Sequence, residues 1–80
     1  MDFFEETIII VSEILDIKSS SLTLESSNST TDNWDSLAQL QIIMALENRF
    51  NVRFKTTEIS ELTSIKKLVD RIKELSRNSN

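Results

Sequence analysis

No glycine and no proline occur anywhere in these 80 residues. Average usage, roughly 7 % and 5 %, would have supplied about six and about four. Tight reversals draw on both residues, so a β-rich fold is disfavoured and an all-α fold is expected. The missing glycines also exclude P-loops and Rossmann turns, where the backbone must approach phosphate closely. Apolar residues make up 39 % and charged residues 28 %, which argues against a fully disordered chain. The length suits one small core, hence a single domain over residues 1–80. Cysteine and histidine are also absent. That removes disulfides, thiolate nucleophiles, Ser-His or Cys-His pairs and ordinary zinc sites.

The formal net charge of −4 argues against nonspecific nucleic-acid binding. Residues 1–48 hold nine acids and one base, a net −8, and residues 49–80 hold eight bases and four acids, a net +4. A basic partner should meet the acidic front half. The longest pure apolar run, Ile8 to Val11, is too short for a membrane span or a signal peptide. The chain reads as soluble and cytosolic, without membrane partners.

Four helices and one long polar loop are expected. The first helix covers Asp2 to about Leu15, with Asp2 as its cap and Phe4, Ile8, Val11 and Leu15 on one face. From Asp16 to Asp35 the periodicity stops and serine, threonine and asparagine take over, which is loop composition. Leu22, Leu24 and Trp34 are the expected anchors of that loop. The second helix spans roughly Ser36 to Phe50. At about 100° per residue, Ile42, Leu46 and Phe50 fall within an arc of about 80°, with Ile43 at its edge. Leu37, Leu40 and Met44 form a second apolar stripe, about 140° away. One stripe suffices for an amphipathic surface helix. A chain this short can hardly bury a helix all round, so the second stripe is read as a docking patch.

Phe50 to Phe54 alternates and is expected to be extended. A short third helix falls over Thr57 to Leu62. A fourth starts from a Thr63 or Ser64 cap, with Ile65, Leu68, Val69, Ile72 and Leu75 inward, and a polar tail covers Ser76 to Asn80. Lys66 and Lys67 sit unfavourably against the positive end of that helix.

Without histidine, catalysis would rest on carboxylates, lysines or an activated serine. Asp32 and Asp35 are the closest acidic pair beside a serine, but such loop carboxylates are ordinarily solvated, and calcium-loop spacing fails without its turn glycine. No catalytic residue and no metal ligand is assigned. The strongest local signal is Asp35-Ser36-Leu37, where the loop meets the second helix. Taken alone it is a capping box, with Ser36 as N-cap and Gln39 three residues on. If Asp35 caps instead, the Ser36 hydroxyl is left at the helix tip, where an attached phosphate would meet the dipole and open N–H groups.

Trp34-Asp35-Ser36-Leu37, followed by Leu40, Ile43, Met44-Ala45-Leu46-Glu47 and Phe50, resembles the attachment serine and second helix of the acyl carrier proteins and related peptidyl carriers. The likeness continues through Val52, Phe54, Glu58 to Leu62 and Ile65 to Ile72. The resemblance implies a four-helix bundle with a long first loop and a short third helix. It implies a non-enzymatic carrier whose 4′-phosphopantetheine is transferred from coenzyme A to Ser36 by a phosphopantetheinyl transferase. Asp35 would help that transferase hold magnesium and orient the serine. The arm's thiol would carry an acyl or aminoacyl group as a thioester, supplying what a cysteine-free chain lacks. Loading and acyl-processing enzymes would dock on Leu37, Leu40, Gln41, Met44 and Glu47, with the carrier itself a monomer. Tethering keeps cargo at high effective concentration near each active site.

The chain departs from the family pattern in three places. Family members commonly carry glycine shortly before the serine, where Thr31-Asp32-Asn33-Trp34 has none, although Asn33 tolerates a left-handed backbone. Asn28 and Asp32 replace apolar loop residues. The second helix holds Ala38, Gln39, Gln41, Asn48 and Arg49, leaving Glu47 as its only acid. That looks more like a stand-alone carrier of a specialised polyketide, nonribosomal or surface-glycan pathway than a housekeeping fatty-acid carrier. A helical interaction module without a prosthetic group is a further alternative. So is a helix-turn-helix using Lys66, Lys67, Arg71 and Lys73, against which the acidic front half argues.

Overall fold

The computed structural model describes residues 2–77. Its elements are α1 (Phe3–Leu15), one 3₁₀ turn (Ser19–Ser21), α2 (Ser36–Phe50), α3 (Thr56–Ile59) and α4 (Ile65–Arg77). The described residues hold no strand, only an isolated antiparallel bridge between Ser27 and Ser64. The architecture is the four-helix bundle expected, with a long first loop and a short third helix. Among the described residues no helix is long and apolar enough to cross a membrane.

Asp2 caps α1 as expected, its Oδ1 accepting from Phe4 N–H at 3.0 Å and Glu5 N–H at 3.3 Å. α1 packs on both α2 and α4. Ile8, Val11 and Leu15 meet Ile42, Ile43 and Leu46 of α2 and Ile65, Leu68, Val69 and Ile72 of α4 in one buried cluster. Thr7 is also fully buried on this face, and its hydroxyl has no hydrogen-bond partner. Phe50 is only half-buried, its ring 5.3 Å from that of Phe3.

A chain without glycine must still turn. It does so at three left-handed residues, Asp16, Asn33 and Asn51, with φ of 57°, 70° and 55°. Asp and Asn are the residues that tolerate this conformation best after glycine. Asp16 ends α1 and Asn51 ends α2, each followed by a Schellman-type bond: Ile17 N–H to Ser12 O at 3.0 Å and Val52 N–H to Glu47 O at 3.2 Å. The segment after Asn51 pairs with no strand, yet its alternation is real, since Val52 and Phe54 are buried and Arg53 is exposed.

The long loop is tied to the start of α4. Ile65 N–H donates to Ser26 O at 2.9 Å, Lys66 N–H to Leu24 O at 3.1 Å, and Lys67 N–H to Ser64 Oγ at 3.1 Å. Loop carbonyls and the expected Ser64 cap thus satisfy the helix's opening donors. This corrects one anchor. Leu22 and Trp34 are buried, but Leu24 is 42 % exposed, because its backbone carbonyl rather than its side chain holds that stretch. Lys66, awkward for the dipole, pairs with Asp70 at 2.6 Å.

α3 is shorter than the expected Thr57 to Leu62, because past Ile59 the bonds tighten to turns such as Glu61 N–H to Glu58 O. At the other end, α4 continues through Ser76 and Arg77, where the sequence reading places a polar tail from Ser76 to Asn80; positions 78–80 lie outside the described residues. Half-buried Leu75 packs on the core, and Arg77 suits the helix's negative end.

Arg71 joins α4 to α3, its Nε 2.8 Å from Glu58 Oε1. Burial by itself lifts the Glu58 carboxyl, but hydrogen bonds from Lys55 N–H and Arg71, with the Arg71 charge, outweigh it and hold the group below its ordinary value. A carboxylate depressed in the folded state stabilises above its unfolded pKa, and the contribution is lost as pH falls through the lowered folded value. Arg71→Leu is therefore expected to lower stability by about 1–2 kcal/mol at neutral pH. It should also flatten the decline just below the usual carboxylate range. Urea unfolding of both proteins across that range measures it, and an unchanged acid limb would assign the decline to other carboxylates.

Candidate functional site

The site is built at the start of α2. Asn33, left-handed, sends its Nδ2 to Leu15 O at 3.0 Å, so the end of α1 holds the turn that precedes the motif. Trp34 next turns inward and is buried. Asp35 adopts extended backbone, and its Oδ1 accepts from Ala38 N–H at 2.8 Å. Asp35 is therefore the N-cap, and Ser36 is the first helical residue. Of the two readings of this junction, the structure selects the one in which the serine hydroxyl takes no part in capping.

Ser36 is exposed. The N–H groups of Ser36 and Leu37 take no partner among the described residues, while those of Ala38 and Gln39 are satisfied by Asp35. The helix tip thus offers two open donors and its positive dipole end beside the hydroxyl. A phosphodiester anion on Ser36 Oγ fits that setting. The residues available to hold it are Ser36 itself and the first-turn backbone.

The second stripe lies outward. Leu37, Leu40 and Met44 are 64, 49 and 67 % exposed, whereas Ile42, Ile43 and Leu46 on the opposite side are buried. Gln41 is exposed beside the stripe. Glu47 is different, because it is half-buried and its Oε2 accepts from Phe54 N–H at 2.9 Å. Its carboxylate is engaged in holding the chain after α2. Arg49 leans back onto Glu6 of α1, 3.0 Å away. The solvent face of α2 near Ser36 is thus apolar and neutral. Among the described residues no group of three or more Asp or Glu could hold a metal ion.

Two of the residues that make α2 poor in acids, Ala38 and Gln39, are buried. Gln39 lies one turn from Ser36 and bonds across to Trp34, to the last residue of α3 and to Leu62 beyond it. Its significance escaped sequence reasoning, because a glutamine in a polar stretch carries no signal of burial. The one available clue was its position between the Ile42–Ile43 face and the buried tryptophan five residues before it. Beside these residues runs a groove of about 400 Å³, flanked by Trp34, Ser36, Leu40 and Ile59.

Comparison with known proteins agrees with this geometry. A family model described as a phosphopantetheine attachment site matches residues 8–72. An acyl carrier protein from Campylobacter hominis is 32 % identical over 78 residues, covering 98 % of this chain and 99 % of that protein. One from Campylobacter concisus is 32 % identical over 77 residues, 96 % of this chain and all of that protein. The solution NMR structure of a holo acyl carrier protein from Geobacter metallireducens has a TM-score of 0.84 at 26 % identity, covering 99 % of this chain and 91 % of that one. Likeness of this extent in both sequence and fold assigns the chain to the acyl carrier protein family, carriers rather than catalysts, with covalently attached 4′-phosphopantetheine as their cofactor.

Proposed function

We propose that Ser36 Oγ is the attachment point and that this carrier serves a specialised pathway rather than housekeeping fatty-acid synthesis. The observation supporting the first part is the Asp35 cap, which leaves an exposed serine at the tip of a helix anchored by five buried residues. In loading, a transferase would remove the hydroxyl proton, Oγ would bond to the phosphorus nearer pantetheine, and the pyrophosphate bond of coenzyme A would break, its electron pair leaving on the phosphate of the released adenosine 3′,5′-bisphosphate. Asp35, already aligned by its bond to Ala38, would help orient the serine. The arm supplies a terminal thiol on which an acyl or aminoacyl group is held as a thioester. The α2 backbone donors would face the phosphodiester, and Leu37, Leu40, Gln41 and Met44 would meet the partner enzymes, with Glu47 contributing through the Phe54 turn it holds. Incubation with coenzyme A and a promiscuous transferase, read by intact mass and peptide mapping, tests this. One arm on Ser36 supports it, and modification elsewhere, or by no transferase, refutes it.

The neutral face of α2 supports the pathway reading. Rim charges mainly set encounter rate and exclude wrong partners. A synthase that approaches an acidic carrier helix with a basic surface would find no acid at Gln41 or Asn48, both exposed. Poor service by a fatty-acid elongation synthase is expected even after loading. Gln41→Glu with Asn48→Glu should raise the association rate at low salt, with the gain fading at high salt. Ala38 is not a site for such a charge, because it is buried. Stopped-flow association of the loaded native and double-variant proteins decides between the pathways. Native rates already equal to those of a housekeeping carrier would return the protein to fatty-acid synthesis.

A further inference from the structure

Gln39 is 6 % exposed. A side-chain amide that deeply buried has to be hydrogen-bonded, and each end of this one is. Oε1 accepts from Trp34 Nε1–H at 2.7 Å, and Nε2 donates to Ile59 O at 2.7 Å and to Leu62 O at 2.8 Å. Three stretches of chain therefore meet on one side chain: the end of the long loop, the first turn of α2, and the carbonyl end of α3. With only four residues, α3 is far below the length at which a helix holds itself together. It depends on tethers. Beside the packing of Ile59 and Leu62 on the core, its polar tethers are the Glu58–Arg71 pair to α4 and Gln39, which makes the only hydrogen bonds from α2 to the α3 segment among the described residues. The groove beside Ser36 is lined by Trp34, Gln39 and Ile59 alike, so the residues this amide joins also shape it.

We propose that Gln39 is a positioning residue: its buried amide fastens α3 to the segment that presents Ser36, so that a partner meets serine and α3 as one rigid surface. The inference rests on reading Ser36 as the attachment point, because the surface it describes is the one an enzyme must cross to reach that hydroxyl. The latch is cooperative, since losing the amide strands the indole N–H and the Leu62 carbonyl together and leaves Ile59 O with only its 3.3 Å bond from Leu62 N–H. Asp35 and its cap bond to Ala38 lie outside it, so the serine's own orientation is separable from the position of α3.

Gln39→Leu, similar in size and without hydrogen-bonding groups, tests this. Trp34 is the only tryptophan, so its indole N–H gives a single NMR signal that reports the latch directly. In the variant that signal should shift and lose its protection from solvent. Amide exchange across Ile59 to Leu62 should accelerate, while exchange at Val11 and Leu68 stays as in the native protein. With the apo protein as transferase substrate, KM should rise about tenfold and kcat should stay within about twofold, the pattern of lost docking rather than lost chemistry. Trp34→Phe, which removes one bond of the three and the indole signal with it, should move the exchange and KM readouts the same way and less. If Gln39→Leu fails to fold, Trp34→Phe carries the test on amide exchange and transferase kinetics. Unchanged exchange at Ile59 to Leu62, or a fall in kcat at constant KM, overturns the proposal. A native protein that accepts no arm at Ser36 instead overturns the attachment reading, and the exchange and indole measurements still decide whether Gln39 holds α3.

Discussion

Replacing Ser36 by alanine should abolish phosphopantetheine attachment outright while leaving the protein folded. Attachment needs an oxygen nucleophile at that position, and alanine has none, so the loaded fraction should fall to zero rather than decline. Stability should hardly change, because Asp35 and not Ser36 makes the cap bond to Ala38, and exposed substitutions away from caps cost within about 0.5 kcal/mol. Asp35→Ala is the contrasting variant. It keeps the hydroxyl but removes the cap, which costs about 1 kcal/mol, and it should slow loading by more than that loss of stability explains. Intact mass after treatment with coenzyme A and transferase, beside urea unfolding of the same samples, separates the two effects. A Ser36→Ala protein that still gains one arm would move the attachment to another serine.

The second large effect separates the two faces of α2. Leu46 is fully buried against α1 and α4, so Leu46→Ala should destabilise by about 2–5 kcal/mol, the cost of lost transfer energy plus the cavity left behind. Leu40 is about half exposed on the opposite side, and Leu40→Ala should cost under about 1 kcal/mol. Its effect should fall on transfer of cargo with a cognate partner, as KM. Chemical denaturation of both variants checks the first half, and transfer kinetics at fixed loading check the second. Equal, large losses of stability at the two positions would show that the Leu37–Leu40–Met44 face is structural.

The helices were largely legible in the sequence because local physics decides them. The 3.6-residue period placed Ile8, Val11 and Leu15 inward on α1 and Ile42 and Leu46 inward on α2, and each is buried. The two-stripe pattern of α2 located the exposed apolar face before any contact was known, because a face left apolar in so short a chain has nothing of its own to cover it. Asn33 as the stand-in for glycine is also borne out by its φ of 70°. Less legible were the loop and the third helix. Leu24 looks like an anchor to any hydrophobicity scale, yet its side chain is half out in water because the loop is held by carbonyls reaching the start of α4.

Amino-acid order by itself thus determined the all-α class, the span of α2, the buried stripe and the serine at the helix tip, all consequences of periodicity and of residues missing from the chain. Whether Asp35 or Ser36 caps α2 could not be read there, since both side chains cap well; the extended backbone at Asp35, which follows the left-handed turn that Asn33 makes against Leu15, decided it. Nor could the burial of Gln39, or the engagement of Glu47 with Phe54, because a polar side chain's environment is set by partners 20 or 23 residues away in one case and seven in the other. Helix faces are local in sequence, whereas hydrogen-bond partners brought together by packing are not, and the surroundings of Ser36 are made mainly of the second kind.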